Sequence, residues 1–214
     1  MWFPPRPTTP DWKAALAHLR RSPVLGPIIG RVGPCTLHPR RDYFIVLCQS
    51  IFTQQISTTV ATILFNRFRD YFPRRRPTPA LTLKLDDAAL QSTGLSRQKR
   101  LYVRDLAAKF ADGSIPVRRL RAMPDEEVIQ ALLPVKGVGR WTAEMFLIFT
   151  LNRPDVLPID DLGLRKGIQT AFALPEMPKP KECVELAEPW RPYRTVATWY
   201  LWRGGVPTAM ERAN

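Results

Sequence analysis

The feature that most constrains this chain is a glycine-containing turn between two apolar helical runs. The turn, Val135-Lys136-Gly137-Val138-Gly139, follows a run that ends at Leu133 and precedes a run from about Arg140 to about Leu151. Glycine permits positive φ and lets another backbone come close. The amides of the turn and of the next helix's first residues point outward with partial positive charge, so the turn predicts a seat for one phosphate group.

Two adjacent carboxylates, Asp160 and Asp161, follow this turn. They stand just ahead of another helical run, which carries Leu164, Ile168 and Phe172 on one face. An aspartate in front of a helix is commonly only an N-cap. Capping and a role in a site are compatible, because one of the two carboxylates can cap the helix while the other reaches the site.

The charge balance indicates a polyanionic partner. The chain has 32 Lys and Arg against 19 Asp and Glu, a formal net charge of +13. A chain this basic commonly binds nucleic acid, although a solvated basic surface without a partner is the alternative. The segment Arg97 to Arg100 is basic in the same way, and its side chains face either phosphate or solvent.

Cysteine usage and hydropathy indicate the cytoplasm. The three cysteines, Cys35, Cys48 and Cys183, show neither metal spacing nor a disulfide framework. The N-terminus has no apolar signal segment. The longest apolar run, 145–151, is too short to span a bilayer. We therefore expect a cytoplasmic protein, associated with the nucleoid if the source is bacterial, with no membrane partner.

Apolar residues recur at helical spacing along most of the chain. One stripe is formed by Phe44, Leu47, Cys48, Ile51 and Phe52. A polar break at 53–57 follows it and contains Gln54 and Gln55, which by pattern alone are either solvated or functional. No stretch alternates as a strand does. The sequence therefore predicts an all-α fold.

Three segments together resemble a known family. Leu133-Pro134-x-Lys136-Gly137-Val138-Gly139-x-Trp141-Thr142-Ala143 resembles the helix-hairpin-helix of base-excision DNA glycosylases, and Pro158-x-Asp160-Asp161 resembles the catalytic-aspartate loop that completes the motif. Trp190-Arg191-Pro192-Tyr193-Arg194 resembles the entry to that family's aromatic last helix. The resemblance runs from about Arg41 to about Gly204 and is greatest to the alkylated-base, 3-methyladenine type.

The resemblance implies two helical lobes with a DNA-binding cleft between them. One lobe would span 41–152 and contain the helix-hairpin-helix at about 125–151. The other would combine 1–40 with 153–214 and carry the catalytic aspartate. About forty residues before the first strong helix leave no room for the extra N-terminal β-domain of larger relatives, so we expect that domain to be missing.

The resemblance also implies a reaction, the hydrolysis of an N-glycosidic bond. A carboxylate beside C1′ stabilises the oxocarbenium-like state or deprotonates the attacking water. By matched position this group is Asp161, with Asp160 as the alternative. Relatives that also act as lyases place a lysine where this chain has Trp141. We therefore predict a monofunctional enzyme that uses water as its nucleophile.

By matched position, further residues acquire roles. Gln55 would be the wedge that fills the gap left by a flipped nucleotide, and the base pocket would be lined by Gln54, Trp141, Met145 and Trp202. From periodicity alone, core packing explains each of these aromatic residues better than a place in the pocket does. The DNA phosphate contacts would come from Lys136, Gly137, Val138, Gly139, Arg140 and Thr142.

The resemblance bears on cofactors as well. The family's hairpin often holds a sodium or potassium ion through backbone carbonyls, here those of Leu133, Val135 and Val138. No cofactor is expected to be required. The four-cysteine iron–sulfur cluster of some relatives is not expected, because Cys183 is the only cysteine near the C-terminus.

The predicted function is base-excision repair of alkylated purines such as 3-methyladenine and 7-methylguanine. The partner would be double-stranded DNA containing damaged bases, and we expect a monomer. Two alternatives stay open: a non-catalytic helix-hairpin-helix DNA-binding module, and a glycosylase for a different lesion.

Overall fold

The computed structural model describes residues 12–204, and within them the predicted all-α fold is confirmed, with no strand in that range. The twelve α-helices of this range are α1 (Lys13–Leu19), α2 (Leu25–Val32), α3 (Tyr43–Thr53), α4 (Thr58–Asp70), α5 (Pro79–Lys84), α6 (Asp87–Ser92), α7 (Arg97–Ala111), α8 (Asp125–Leu132), α9 (Arg140–Phe146), α10 (Leu162–Ala171), α11 (Pro180–Ala187) and α12 (Arg194–Gly204). Two 3₁₀ turns, Pro73–Arg75 and Glu188–Trp190, and a π-helical segment, Leu147–Leu151, complete the regular structure.

The described chain divides into two compact units. The hairpin unit comprises residues 40–146, and the aspartate unit comprises residues 12–39 together with 147–204. The sequence placed the end of the first lobe after Asn152, and in the structure the chain leaves the hairpin unit after Phe146. This point is where α9 gives way to the π-helical segment, a change of helical register that the hydrophobic pattern does not reveal.

The hairpin unit is built around α3. Its predicted apolar stripe is buried throughout, from Phe44 to Phe52. Phe52 contacts the rings of Phe65 and Phe68 on α4, with centroids 5.2 and 5.3 Å apart. Helix α7 packs against both α3 and α5. Helices α3 and α7 therefore form the packed base from which the loops at their ends extend.

In the aspartate unit, α12 packs against α2 and α10. Gly167 allows the close approach of α10, since a Cβ there would lie 2.9 Å from the Cβ of Leu201. The loop before α10 is hydrogen-bonded to the start of α12. Asp155 accepts hydrogen bonds from the Arg194 guanidinium at 2.7 and 2.9 Å, and the Val156 amide donates to Thr195 Oγ1 at 2.9 Å. These contacts fix the path of the chain toward Asp161.

No helix within residues 12–204 has the length and apolar character needed to cross a bilayer.

Candidate active site

The predicted turn lies between α8 and α9 in the hairpin unit. Val135 and Val138 are buried and anchor it, and the Val138 amide donates to the Val135 carbonyl at 3.0 Å. Gly137 has a φ of +82°, and a Cβ at this position would overlap the ring of Tyr102. Glycine is therefore required here for two reasons, the left-handed backbone and the contact with Tyr102.

Two side chains hold the turn, one from the residue that follows α3 and one from α7. The Lys136 amide donates to Asp105 Oδ2 at 2.8 Å, and Gln54 Nε2 donates to the Gly137 carbonyl at 2.8 Å. In the part of the chain that the structure describes, the amides of Gly137, Gly139 and Arg140 have no hydrogen-bond partner. The Lys136 amide is thus already bonded to Asp105, whereas these three amides are not bonded.

The side chains of the predicted phosphate contacts differ in exposure and in pairing. The Lys136 side chain is exposed, whereas Thr142 is buried. The Arg140 guanidinium is paired with Glu126 at 2.8 and 3.1 Å and lowers the pKa of that carboxyl to about 2, with help from Gln130. Within this set, Lys136 is the long cation that points to solvent, and Arg140 joins α8 to α9.

Of the residues predicted for the base pocket, three lie in the hairpin unit. Trp141 is 43% exposed and Met145 is half-buried, and their spacing places both on one face of α9. Gln54 is half-buried with its amide on the hairpin turn. The predicted wedge, Gln55, is exposed and has a φ of +58°.

Asp161 and Trp202 lie in the aspartate unit. Asp161 is the N-cap of α10, where its Oδ1 accepts from the Leu164 amide at 2.6 Å and from Trp202 Nε1 at 2.8 Å. Asp160 is exposed. The sequence allowed capping and a site role to be divided between the two carboxylates, but the structure gives the cap to Asp161 itself. An indole N–H and an amide of the first turn of α10 thus converge on one carboxylate oxygen and fix its orientation.

Phe149 contacts Trp202 beside Asp161, and the sequence analysis did not identify it. Its ring stacks on Trp202, with centroids 5.5 Å apart and planes 17° apart. Phe149 lies in the π-helical segment Leu147–Leu151. π-helical turns often occur at functional sites, but the hydrophobic pattern of this run reads simply as α-helix. Gly163 also contributes, because its lack of a side chain leaves room for the Trp202 ring, whose Cδ1 would lie 3.0 Å from a Cβ.

Among residues 12–204, no group of three or more His, Cys, Asp or Glu side chains is placed to hold a metal ion. The carbonyls of Leu133, Val135 and Val138 lie at the end of α8 and in the turn that follows.

Comparison with known proteins gives concordant results. The model of the HhH-GPD superfamily of base excision DNA repair proteins matches residues 48–192, more than half of the chain. The chain is 34% identical to the alkylbase DNA glycosidase-like protein mag2 of Schizosaccharomyces pombe, over 90% of this chain and 93% of that protein.

Two solved structures are similar over most of their length. One is the 3-methyladenine DNA glycosylase Mag1 of Schizosaccharomyces pombe in complex with abasic DNA, with a TM-score of 0.78, 32% identity, and coverage of 89% of this chain and 96% of that one. The other is a DNA-3-methyladenine glycosidase from Bacillus halodurans, with a TM-score of 0.82, 29% identity, and coverage of 95% and 94%.

Proposed function

This chain belongs to the HhH-GPD superfamily of base excision DNA repair proteins, and from that membership we propose that it hydrolyses the N-glycosidic bond of alkylated purines in duplex DNA. The observation that carries the proposal is the Asp161 carboxylate, which caps α10 and accepts the indole N–H of Trp202. The similar Mag1 is named a 3-methyladenine DNA glycosylase, and the abasic DNA bound to it is what removal of a base leaves behind.

The proposed chemistry places the Asp161 carboxylate at C1′ of the target nucleotide. The target nucleotide leaves the stack, because its glycosidic bond is otherwise inaccessible. As the bond lengthens, positive charge develops on the sugar, and the Asp161 carboxylate stabilises that charge or deprotonates the attacking water. The bonds from Leu164 and Trp202 fix the orientation of this carboxylate in advance.

The pocket chemistry suits a cationic base. A purine methylated at a ring nitrogen is positively charged and is already a good leaving group. Trp141 and Met145 are exposed and half-buried on α9 of the hairpin unit, and Trp202 is half-buried in the aspartate unit. We propose that the aromatic rings among them give such a base stacking and cation–π contacts. Grip on the duplex would come from the amides of Gly137, Gly139 and Arg140 and from the Lys136 side chain, contacts that carry no sequence information.

We propose that the enzyme is monofunctional and acts as a monomer. We also propose that it is cytoplasmic, and associated with the nucleoid if the source is bacterial. Trp141 occupies the position of the lyase lysine, so the chain offers no amine there to form a Schiff base with C1′.

This proposal predicts a specific pattern of strand cleavage. Methylated duplex DNA treated with the protein should break only after a later treatment with alkali, because hydrolysis leaves an abasic site in an intact strand. Borohydride should trap no protein–DNA adduct. Breaks without alkali, together with a trapped adduct, would instead mean that another amine acts as a lyase nucleophile. No breaks even after alkali would favour a different lesion or a non-catalytic DNA-binding module.

A second prediction concerns Trp202. Trp202→Phe keeps an aromatic ring on Phe149 but removes the donor to Asp161, so the single-turnover excision rate should fall about tenfold, the value of one hydrogen bond to a charged group. Affinity for abasic duplex DNA should stay the same. Trp199→Phe, on the same helix but outside this group, is the matched control. An excision rate equal to that of wild type would show that the indole N–H does not orient the carboxylate.

For the hairpin we propose a monovalent cation held by the carbonyls of Leu133, Val135 and Val138. Neutral carbonyl oxygens suit an alkali ion. The end of α8 adds the negative end of a helix dipole, which also fits a cation. Such an ion would stiffen the turn and would take no part in the bond cleavage.

A further inference from the structure

Lys99, near the start of α7, makes two contacts that place it behind the predicted wedge. Its Nζ donates to the carbonyls of Phe52 at 2.8 Å and of Gln54 at 2.6 Å. Both carbonyls lie at the C-terminal end of α3, where a helix dipole is negative and carbonyl groups lack partners within the helix. The half-buried ammonium thus serves as a cap for α3, and burial lowers its pKa.

The second of these carbonyls belongs to the peptide that joins Gln54 to Gln55. The orientation of that peptide plane helps to set φ of Gln55, which is +58°. This left-handed conformation is unfavourable for a residue with a Cβ, so it needs support from its surroundings. Lys99 supplies support on the N-terminal side of Gln55, and Gln54 Nε2 adds a bond to the hairpin carbonyl of Gly137.

The C-terminal side of Gln55 is also held. Ser57 is the N-cap of α4 and accepts from the Val60 amide at 3.3 Å. Gln55 therefore sits between two fixed points with its own side chain exposed. A side chain that must enter the base stack benefits from such preorganisation, because less conformational entropy is lost on insertion.

From these contacts we propose that Lys99 is a positioning residue for base extrusion: it fixes the Gln54–Gln55 peptide so that Gln55 is held ready to fill the gap left by the flipped nucleotide. The proposal rests on the function proposed above and on the wedge role of Gln55. It differs from both sequence-based interpretations of Lys99, phosphate contact and a solvated face, since the Nζ donates to two backbone carbonyls.

The first test is a double-mutant cycle. Lys99→Met keeps the aliphatic stem and removes the donor, Gln55→Ala removes the wedge, and Lys84→Met, an exposed lysine of the same unit, is the matched control. Lys99→Met should lower the single-turnover excision rate on methylated duplex DNA about 10- to 100-fold, as a misplaced contact does. In the double variant, Lys99→Met should lower the excision rate hardly further than Gln55→Ala alone, because both substitutions remove the same function. Losses that multiply in the double variant would overturn the proposal.

The second test does not depend on catalysis. The probe is a duplex with an abasic site opposite 2-aminopurine, whose fluorescence rises when a side chain disturbs its stacking. Wild type should raise the signal, and Lys99→Met should bind this DNA with similar affinity but raise the signal much less, as should Gln55→Ala. The melting temperature of each variant shows whether it is folded.

The outcomes separate the two proposals. If wild type raises the fluorescence but releases no methylated base, the proposed function fails while the role of Lys99 stands. If wild type releases base and Lys99→Met matches it in rate and in fluorescence, the role of Lys99 is overturned and the function stands. If the wild-type protein gave no fluorescence response, the proposed role of Lys99 would also be overturned, because Gln55 would then not enter the base stack.

Discussion

Replacing Asp161 with asparagine should abolish most base excision while leaving the fold and DNA binding intact. Asparagine is as good an N-cap as aspartate and its Oδ1 can accept the same bonds from Leu164 and Trp202. What it lacks is the negative charge that opposes the developing charge on the sugar. The single-turnover excision rate should therefore fall about 10²- to 10⁴-fold, the range found when a general acid–base group is removed.

The neighbouring carboxylate provides the matched control. Asp160→Asn removes the same charge one residue away, but Asp160 is exposed and does not cap α10. Its excision rate should stay within a few-fold of wild type. A large loss in Asp160→Asn with little change in Asp161→Asn would contradict the assignment and would make Asp160 the catalytic residue. Affinity of each variant for abasic duplex DNA separates loss of chemistry from loss of binding.

Gly137→Ala should be the most damaging small substitution in the hairpin. The alanine would have to adopt a φ of +82°. Its Cβ would also overlap the ring of Tyr102, whose hydroxyl is hydrogen-bonded to Gln98. Left-handed backbone costs about 1–2 kcal/mol for a residue with a Cβ, and overpacking adds about 1–3 kcal/mol. The free energy of unfolding should fall by the sum, and duplex affinity should fall with it because the turn presents the Gly137 and Gly139 amides.

Gly113→Ala separates the two causes. Gly113 also has a φ of +82°, but no atom lies within 4 Å of the position that its Cβ would occupy. Chemical denaturation should therefore show only the backbone cost in Gly113→Ala, with DNA affinity unchanged. Equal destabilisation of the two variants would mean that the Tyr102 contact does not constrain the turn. Adding Tyr102→Ala to Gly137→Ala should recover part of the lost stability.

The parts of the site that the sequence predicted well are local. The turn, its glycine and the two helices around it are determined by residues a few positions apart, and so is the aspartate at the start of α10. Capping and turn preferences act over such short distances, so they can be recognised in a single sequence. For the same reason the all-α fold follows from helical periodicity.

The parts that the sequence did not predict depend on contacts between distant segments. Nothing near Lys99 indicates that its ammonium would bind the carbonyls at the end of α3, and nothing near Arg100 indicates its bidentate pair with Asp87 at 3.0 and 3.1 Å. Phe149 was missed because a π-helical segment shifts side chains relative to the α-helical pattern. These contacts come from tertiary packing, which periodicity alone does not encode.

The proposed function is tested most directly by chromatography of the free bases released from methylated duplex DNA by the wild-type protein. We expect free 3-methyladenine and 7-methylguanine in amounts that grow with time, while unmodified adenine and guanine stay in the polymer. Absence of any free methylated purine, from protein that still binds the same DNA with a steep dependence on salt, would contradict it.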